Sequence, residues 1–227
     1  MSRSFPGVDN NELTTGGDPA HLDTGIPMTL CAWIVRQGTG GYIIAKDSGA
    51  GGTRAYHMHC AGNRIDGRIE GPSGTEVVNG VTSQPANTWT HFAMRKSGTG
   101  AGSLAVFYNG VLDGSYASAN TTINDSYAPL DVGNRIASTP APHYGLIAEV
   151  AVWAAALVDA EIAALGKGVC PIKVRRISLR GYWPLFGLNL AAEADLSGWV
   201  TSLLQNGSVP QGASHSPSGP LATFASG

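Results

Sequence analysis

Leu104-Ala105-Val106-Phe107-Tyr108-Asn109-Gly110-Val111-Leu112 reads as two short apolar strands joined by an Asn-Gly pair. Asn and Gly tolerate the positive φ that both central residues of a type I′ turn require, and the twist of that turn matches antiparallel strands. The stretch therefore predicts a tight hairpin and, with it, an antiparallel sheet.

Working outward, Thr29 to Val35 places Leu30, Ala32 and Ile34 on one face and Cys31, Trp33 and Val35 on the other. Both faces are apolar, so this strand is expected to be central and buried on both sides. Arg64 to Glu70 differs: Ile65, Gly67 and Ile69 share one face while Arg64, Asp66, Arg68 and Glu70 share the other, which must meet water. Trp89 to Lys96 and Tyr144 to Trp153 read as further strands. Short alternating runs separated by Gly, Asn, Pro and Ser recur through the first 153 residues, the pattern of a sandwich or barrel. One helix is expected, Val158 to Leu165, led by Asp159 and Glu161 near its positive end and closed by Gly166.

The composition agrees. In 227 residues there are 31 Gly and 13 Pro with only 13% charged residues, a chain that turns often and relies little on charged helices. The hydrophobic share of 43% suffices for a core. A formal charge of -2 offers no excess positive potential to hold a phosphate backbone, which argues against nucleic acid as a partner. Cys31, Cys60 and Cys170 match no zinc spacing and read as small buried hydrophobes, with a Cys31 to Cys60 disulfide open to a chain that matures outside the cell. Residues 1–7 carry a charge but no apolar stretch, so no secretory signal peptide is expected. Leu146 to Leu165 is apolar but interrupted by Glu149, Asp159 and Glu161, which argues against a membrane span.

Beyond Gly168 the character changes. Lys173, Arg175, Arg176 and Arg180 precede Tyr182-Trp183-Pro184-Leu185, and from Gln205 to Gly227 no residue is charged. The expected division is a sandwich over 1–168, an extension over 169–204 that packs on or continues it, and a Gly/Ser/Pro-rich tail over 205–227. In that tail Val209, Leu221 and Phe224 are the apolar groups expected to dock into a neighbouring chain.

In order along the chain, Met28-Thr29-Leu30-Cys31-Ala32-Trp33-Ile34-Val35, Asn87-Thr88-Trp89-Thr90-His91-Phe92-Ala93, Phe107-Tyr108-Asn109-Gly110, Leu130-Asp131-Val132-Gly133 and Gly145 to Trp153 resemble the strands of the laminin-G-like family. The resemblance covers residues 5 to 166 and implies an all-β fold. The expected form is an antiparallel β-sandwich, a concanavalin A-like jelly roll with one short helix after the last core strand. Relatives often hold calcium at the sandwich rim through carboxylates and carbonyls. Here Asp47, Asp113, Asp125 and Asp131 with Asn134 have that chemistry, though no recognisable spacing, and turn-forming roles compete with it. The segment Tyr182 to Leu185 with Asp195-Leu196-Ser197-Gly198 resembles one that relatives carry before the domain rather than after it.

Glycosidases on this scaffold need two cooperating carboxylates on one strand face. The nearest pair, Asp66 with Glu70, is interleaved by Arg64 and Arg68, which favour both ionised forms and a solvated charge ladder. His57 and His59 share a face, but no third metal ligand lies nearby, and a hydrogen-bonded pair is the preferred reading. His91 matches a structural histidine of the family. There is no nucleophile elbow and no phosphate loop. No enzyme is expected.

Two roles agree with these features. The first is a structural or adhesive virion-surface protein, a decoration or fibre-type module of a virus or phage, anchored by its termini to subunits of its own kind or to capsid or tail proteins. The second is an extracellular or cell-surface lectin-like module that binds glycans, with Tyr42, Tyr56, Tyr116, Tyr127 and Tyr144 as stacking rings.

Overall fold

The computed structural model describes residues 2–38, 40–47, 54–135, 141–186 and 191–212. Fifteen strands are described: β1 (Arg3–Pro6), β2 (Glu12–Thr14), β3 (Met28–Arg36), β4 (Tyr42–Asp47), β5 (Arg54–Ala61), β6 (Arg64–Gly71), β7 (Gly74–Asn79), β8 (Thr90–Lys96), β9 (Gly100–Tyr108), β10 (Val111–Ser118), β11 (Asp131–Val132), β12 (Tyr144–Trp153), β13 (Leu179–Trp183), β14 (Ala192–Glu193) and β15 (Leu203–Asn206). One sheet runs β1-β12-β3-β8-β9-β10, with β13 beside β1 on the free edge of β12. The other runs β14-β15-β2-β11-β4-β5-β6-β7. Every pairing between these strands is antiparallel.

Alternation decides what each strand buries. Leu30, Ala32 and Ile34 of β3 meet Met58, Ile65 and Ile69 of the opposite sheet in the main core. Cys31 of β3 belongs to a second apolar layer with Phe107, Trp153, Ile162 and Leu165. The helix α1 (Asp159–Gly166) and the chain behind it cover the outer face of the seven-stranded sheet, so a strand with two apolar faces is buried on both. β6, with one charged face, alternates between buried and partly exposed residues.

The Asn109-Gly110 turn joins β9 to β10 with φ of 48° and 81°, the positive pair that a type I′ turn demands. Gly133 has φ of +86°, and a Cβ there would lie 2.0 Å from the Phe5 ring, so glycine is required where β11 leaves the sheet. Several register irregularities escape the period-two pattern, at Leu112/Gly114, Tyr116/Ser118, Tyr42/Ile44, Lys46/Asp47 and Val152/Trp153 as well as in β12. β12 bulges between Ala148 and Ala151, with Glu149 at φ 54°, and this turns the Glu149 side chain toward Tyr182.

The chain after residue 168 is part of the sandwich: β13 extends one sheet, and β14 and β15 extend the other. Trp183, Leu203 and Val209 are fully buried in the main core. Ser4 N–H donates to the Pro210 carbonyl and Gly212 N–H to the Ser2 carbonyl, stitching residues 210–212 to the first strand. Docking of Val209 into another chain is therefore corrected. Its side chain fills this chain's own core, because backbone pairing along β1 and β2 brings it there. Leu221 and Phe224 lie outside the described residues.

Cys31 and Cys60 are both buried free thiols, one in the outer layer and one in the main core, so they do not pair. Trp33 and Trp153 are 5% and 0% exposed. Among the described residues no helix is long and apolar enough to cross a membrane.

Candidate functional site

Cross-strand register assembles a polar face on the outside of the eight-stranded sheet. His57 and His59 are two residues apart on β5 and point outward, while Tyr56, Met58 and Cys60 between and beside them enter the core. Tyr42 of β4 stands opposite His59, and on the other side Asp66 and Arg68 of β6 stand opposite His59 and His57. The Tyr42 ring centroid lies 5.0 Å from that of His57, edge-on, and 4.8 Å from that of His59.

Each imidazole is oriented by a carboxylate: His57 Nδ1 is 3.0 Å from Asp47 Oδ2, and His59 Nδ1 is 3.0 Å from Asp66 Oδ1. Asp47 is the hub. It also takes Arg135 Nη1 at 3.2 Å and pairs with Arg54 at 3.6 Å, while the Arg135 guanidinium lies 4.6 Å from the Tyr42 ring centroid. Burial lowers the pKa of His57 more than Asp47 raises it, so the ring is held neutral and donates Nδ1–H to the carboxylate. His59, Asp66 and Arg68 are only partly buried and remain open to solvent beside this fixed floor. Arg68 donates to Thr75, which donates to Glu70.

Tyr42 and His57 are themselves buried, 9% and 4% exposed, with Arg135 over the Tyr42 ring, so the face presents His59, Asp66 and Arg68 to solvent on top of that fixed layer. Groups held in this way can make hydrogen bonds whose directions are set in advance. Asp66 and Glu70 do not form an acid and nucleophile pair. Their α-carbons are four strand residues, roughly 13 Å, apart, and each carboxylate accepts from a different neighbour.

The remaining sequence candidates scatter. Tyr56 is a core residue, 2% exposed, whose hydroxyl donates to the Leu22 carbonyl, so its ring has no face for a ligand. Tyr127, in the chain before β11, and Tyr144, at the start of β12, are exposed but belong to different elements, and Tyr116 is exposed on β10 of the seven-stranded sheet. Asp113 is tied to Thr82 N–H and Oγ1. Asp47 is neutralised by two arginines, and Asn134 donates to Glu12 at 3.4 Å. Asp47, Asp113 and Asp131 do not converge, because the only acidic group among the described residues with metal-like spacing is Asp18, Asp23 and Asp125. There the Lys46 ammonium lies 2.6 Å from both Asp18 and Asp23, which supplies the cation from the chain itself. The calcium set expected from the resemblance thus does not fit these residues.

Arg135 escaped sequence reading because it is a lone arginine beyond β11 whose partners, Asp47 and Tyr42, lie about ninety residues away, with no period or spacing that links them. Arg68 was legible only as one rung of a charge ladder.

The chain belongs to the laminin-G-like family of the concanavalin A-like lectin/glucanases superfamily, whose model matches residues 8–163. Among solved structures it is similar to a Bacteroides ovatus protein to which carbohydrate binding has been assigned, at 14% identity and a TM-score of 0.68. That match covers 94% of this chain and 61% of that one. It is also similar to the carbohydrate-binding module of a Ruminococcus gnavus sialidase bound to α2,3-sialyllactose, at 11% identity, TM-score 0.59, covering 73% of this chain and 98% of that one. A pentraxin from Limulus polyphemus matches at 17% identity, TM-score 0.54, covering 73% and 81%. A search of curated protein sequences gave no match. At these identities the likeness establishes the concanavalin A-like jelly roll and not the ligand.

Proposed function

We propose that this chain is a non-catalytic carbohydrate-binding module that takes a glycan on the outer face of its eight-stranded sheet. The observation that carries this reading is the partly exposed cluster of His59, Asp66 and Arg68, held in fixed directions by the buried layer of Tyr42 and His57 beneath it. Family membership and the carbohydrate ligands named for similar folds support it by analogy. The absence of a cooperating carboxylate pair on β6 supports binding without turnover, and a place outside the cell or at its surface goes with that role.

Anchoring on a virion surface through terminal segments is the weaker reading. It rested on a tail free to dock elsewhere, and residues 206–212 pack on this chain's own β1 and β2. A glycan microarray followed by calorimetric titration of the best ligand tests the proposal. Specific binding should fall by tenfold or more in Arg68→Ala or His59→Ala, the value of one charge-assisted hydrogen bond of about 1.5–3 kcal/mol. An array without signal, or variants that bind like the parent, would overturn it.

A further inference from the structure

On the opposite side of the molecule, the outer face of the seven-stranded sheet holds a half-open pocket of about 320 Å³. Trp33 and His91 close it from beneath and are buried, so a ligand meets the walls instead, chiefly Glu149, Val169, Cys170 and Phe186. Val169 and Phe186 are each 38% exposed, and Glu149 and Cys170 are partly exposed.

Glu149 is the charged member of the lining, and the backbone aims it. It stands at the β12 bulge with φ of 54°, a conformation that a residue with a side chain adopts only where its surroundings fix it. Both of its peptide groups are held: its N–H donates to the Pro184 carbonyl at 3.2 Å, and its carbonyl accepts the Cys31 thiol at 4.0 Å. The bulge thereby turns the side chain out of the strand's alternation and into the pocket wall. Tyr182 OH donates to Oε2 at 2.6 Å and lies 3.4 Å from Cys170 Sγ. The other carboxylate oxygen, Oε1, has no partner among the described residues, and none of their lysines or arginines stands beside it. Burial raises the carboxyl pKa, while the Tyr182 hydrogen bond and the charge of the amino terminus lower it.

We propose that this pocket binds a small primary amine with an apolar body, its ammonium group on Glu149 Oε1 and its body against Val169 and Phe186. The ligand class follows from what the wall lacks. A carboxylate partly withdrawn from water among apolar neighbours needs a counter-charge and a donor, and an ammonium group supplies both in one contact. Its remaining hydrogens stay toward water at the open mouth. A hydroxyl gives the hydrogen bond without the charge, and an anion meets like charge. The volume lies at the lower end of small-molecule sites and suits one ring.

The probe is benzylamine, titrated calorimetrically into the full chain, with benzyl alcohol and benzoate as neutral and anionic counterparts of the same ring. Benzylamine should bind saturably and at least tenfold more tightly than benzyl alcohol, the value of one charge-assisted hydrogen bond, and benzoate should not bind. Glu149→Gln keeps an acceptor for Tyr182 but removes the charge, so benzylamine should lose about tenfold in affinity while benzyl alcohol is unaffected. In the parent, ¹³C resonance of the Glu149 carboxyl should show its pKa falling when benzylamine is present. If Glu149→Gln does not fold, Phe186→Ala at the mouth should still fold and bind benzylamine severalfold more weakly. Absence of saturable binding, as when the chain's own amino terminus holds Oε1, would overturn the proposal. Equal affinity for benzyl alcohol, or undiminished benzylamine binding in Glu149→Gln or Phe186→Ala, would overturn it as well.

Discussion

Lys46 Nζ lies 2.6 Å from Asp23 Oδ1 and the same distance from Asp18 Oδ1, with the lysine side chain fully buried and both carboxylates partly solvated. Asp125 completes the acidic trio. Replacing Lys46 with Met leaves three carboxylates facing one another without a cation. The expected destabilisation is about 2–3 kcal/mol, somewhat below that of breaking a fully buried pair because the aspartates keep some water. Urea denaturation measures it. Calcium should leave the midpoint of the parent unchanged, since its ammonium already occupies that position.

Asp47 holds His57, Arg135 and Arg54 together beneath the proposed glycan face. Asp47→Asn keeps the shape but leaves the 4% exposed Arg135 guanidinium without its counter-charge. A loss of about 3 kcal/mol is expected, again read from denaturation midpoints. Arg135→Met with Asp47→Asn should recover part of it, because removing both charges costs less than orphaning one.

Acid should weaken the fold through its buried histidines. Burial pushes the pKa of His91 down to about 3 and that of His143 down to about 4. In the unfolded chain each imidazole takes a proton near pH 6.5, so between roughly pH 6 and pH 4 the unfolded state holds more protons than the folded one. Stability therefore falls as the pH falls through that range, by up to about 1.4 kcal/mol per pH unit for each histidine. His91→Phe should make the dependence shallower by about that amount. Denaturation midpoints measured at several pH values check the slope.

Truncation after Gly168 should abolish cooperative folding. It removes β13, β14 and β15 and empties the core of Trp183, Leu203 and Val209, where a single large-to-small change costs about 2–5 kcal/mol. A truncated chain that retained a sharp thermal transition would show instead that residues up to 168 form a self-sufficient unit.

How much was legible from the chain alone depended on the distance over which each feature is decided. Asn109-Gly110, the doubly apolar Thr29 to Val35, the one-sided Arg64 to Glu70 and the acidic start of α1 are local, and the period of two or the φ demand of a turn reveals them within a few residues. The family motifs Leu130 to Gly133 and Gly145 to Trp153 are equally local, so the sandwich itself could be read from sequence. Only the tertiary structure decided which polar residues meet. Tyr42, Asp47, His57, Asp66 and Arg135 are gathered by strand register and by a turn that returns across the sheet. A shift of one residue would send the strand side chains among them, Tyr42, Asp47, His57 and Asp66, to the other face. The same holds for Lys46 against Asp18 and Asp23 and for Val209 in the core. A composition poor in charge marks residues 205–227 as unable to fold alone, but it carries no information about which surface some of them will cover.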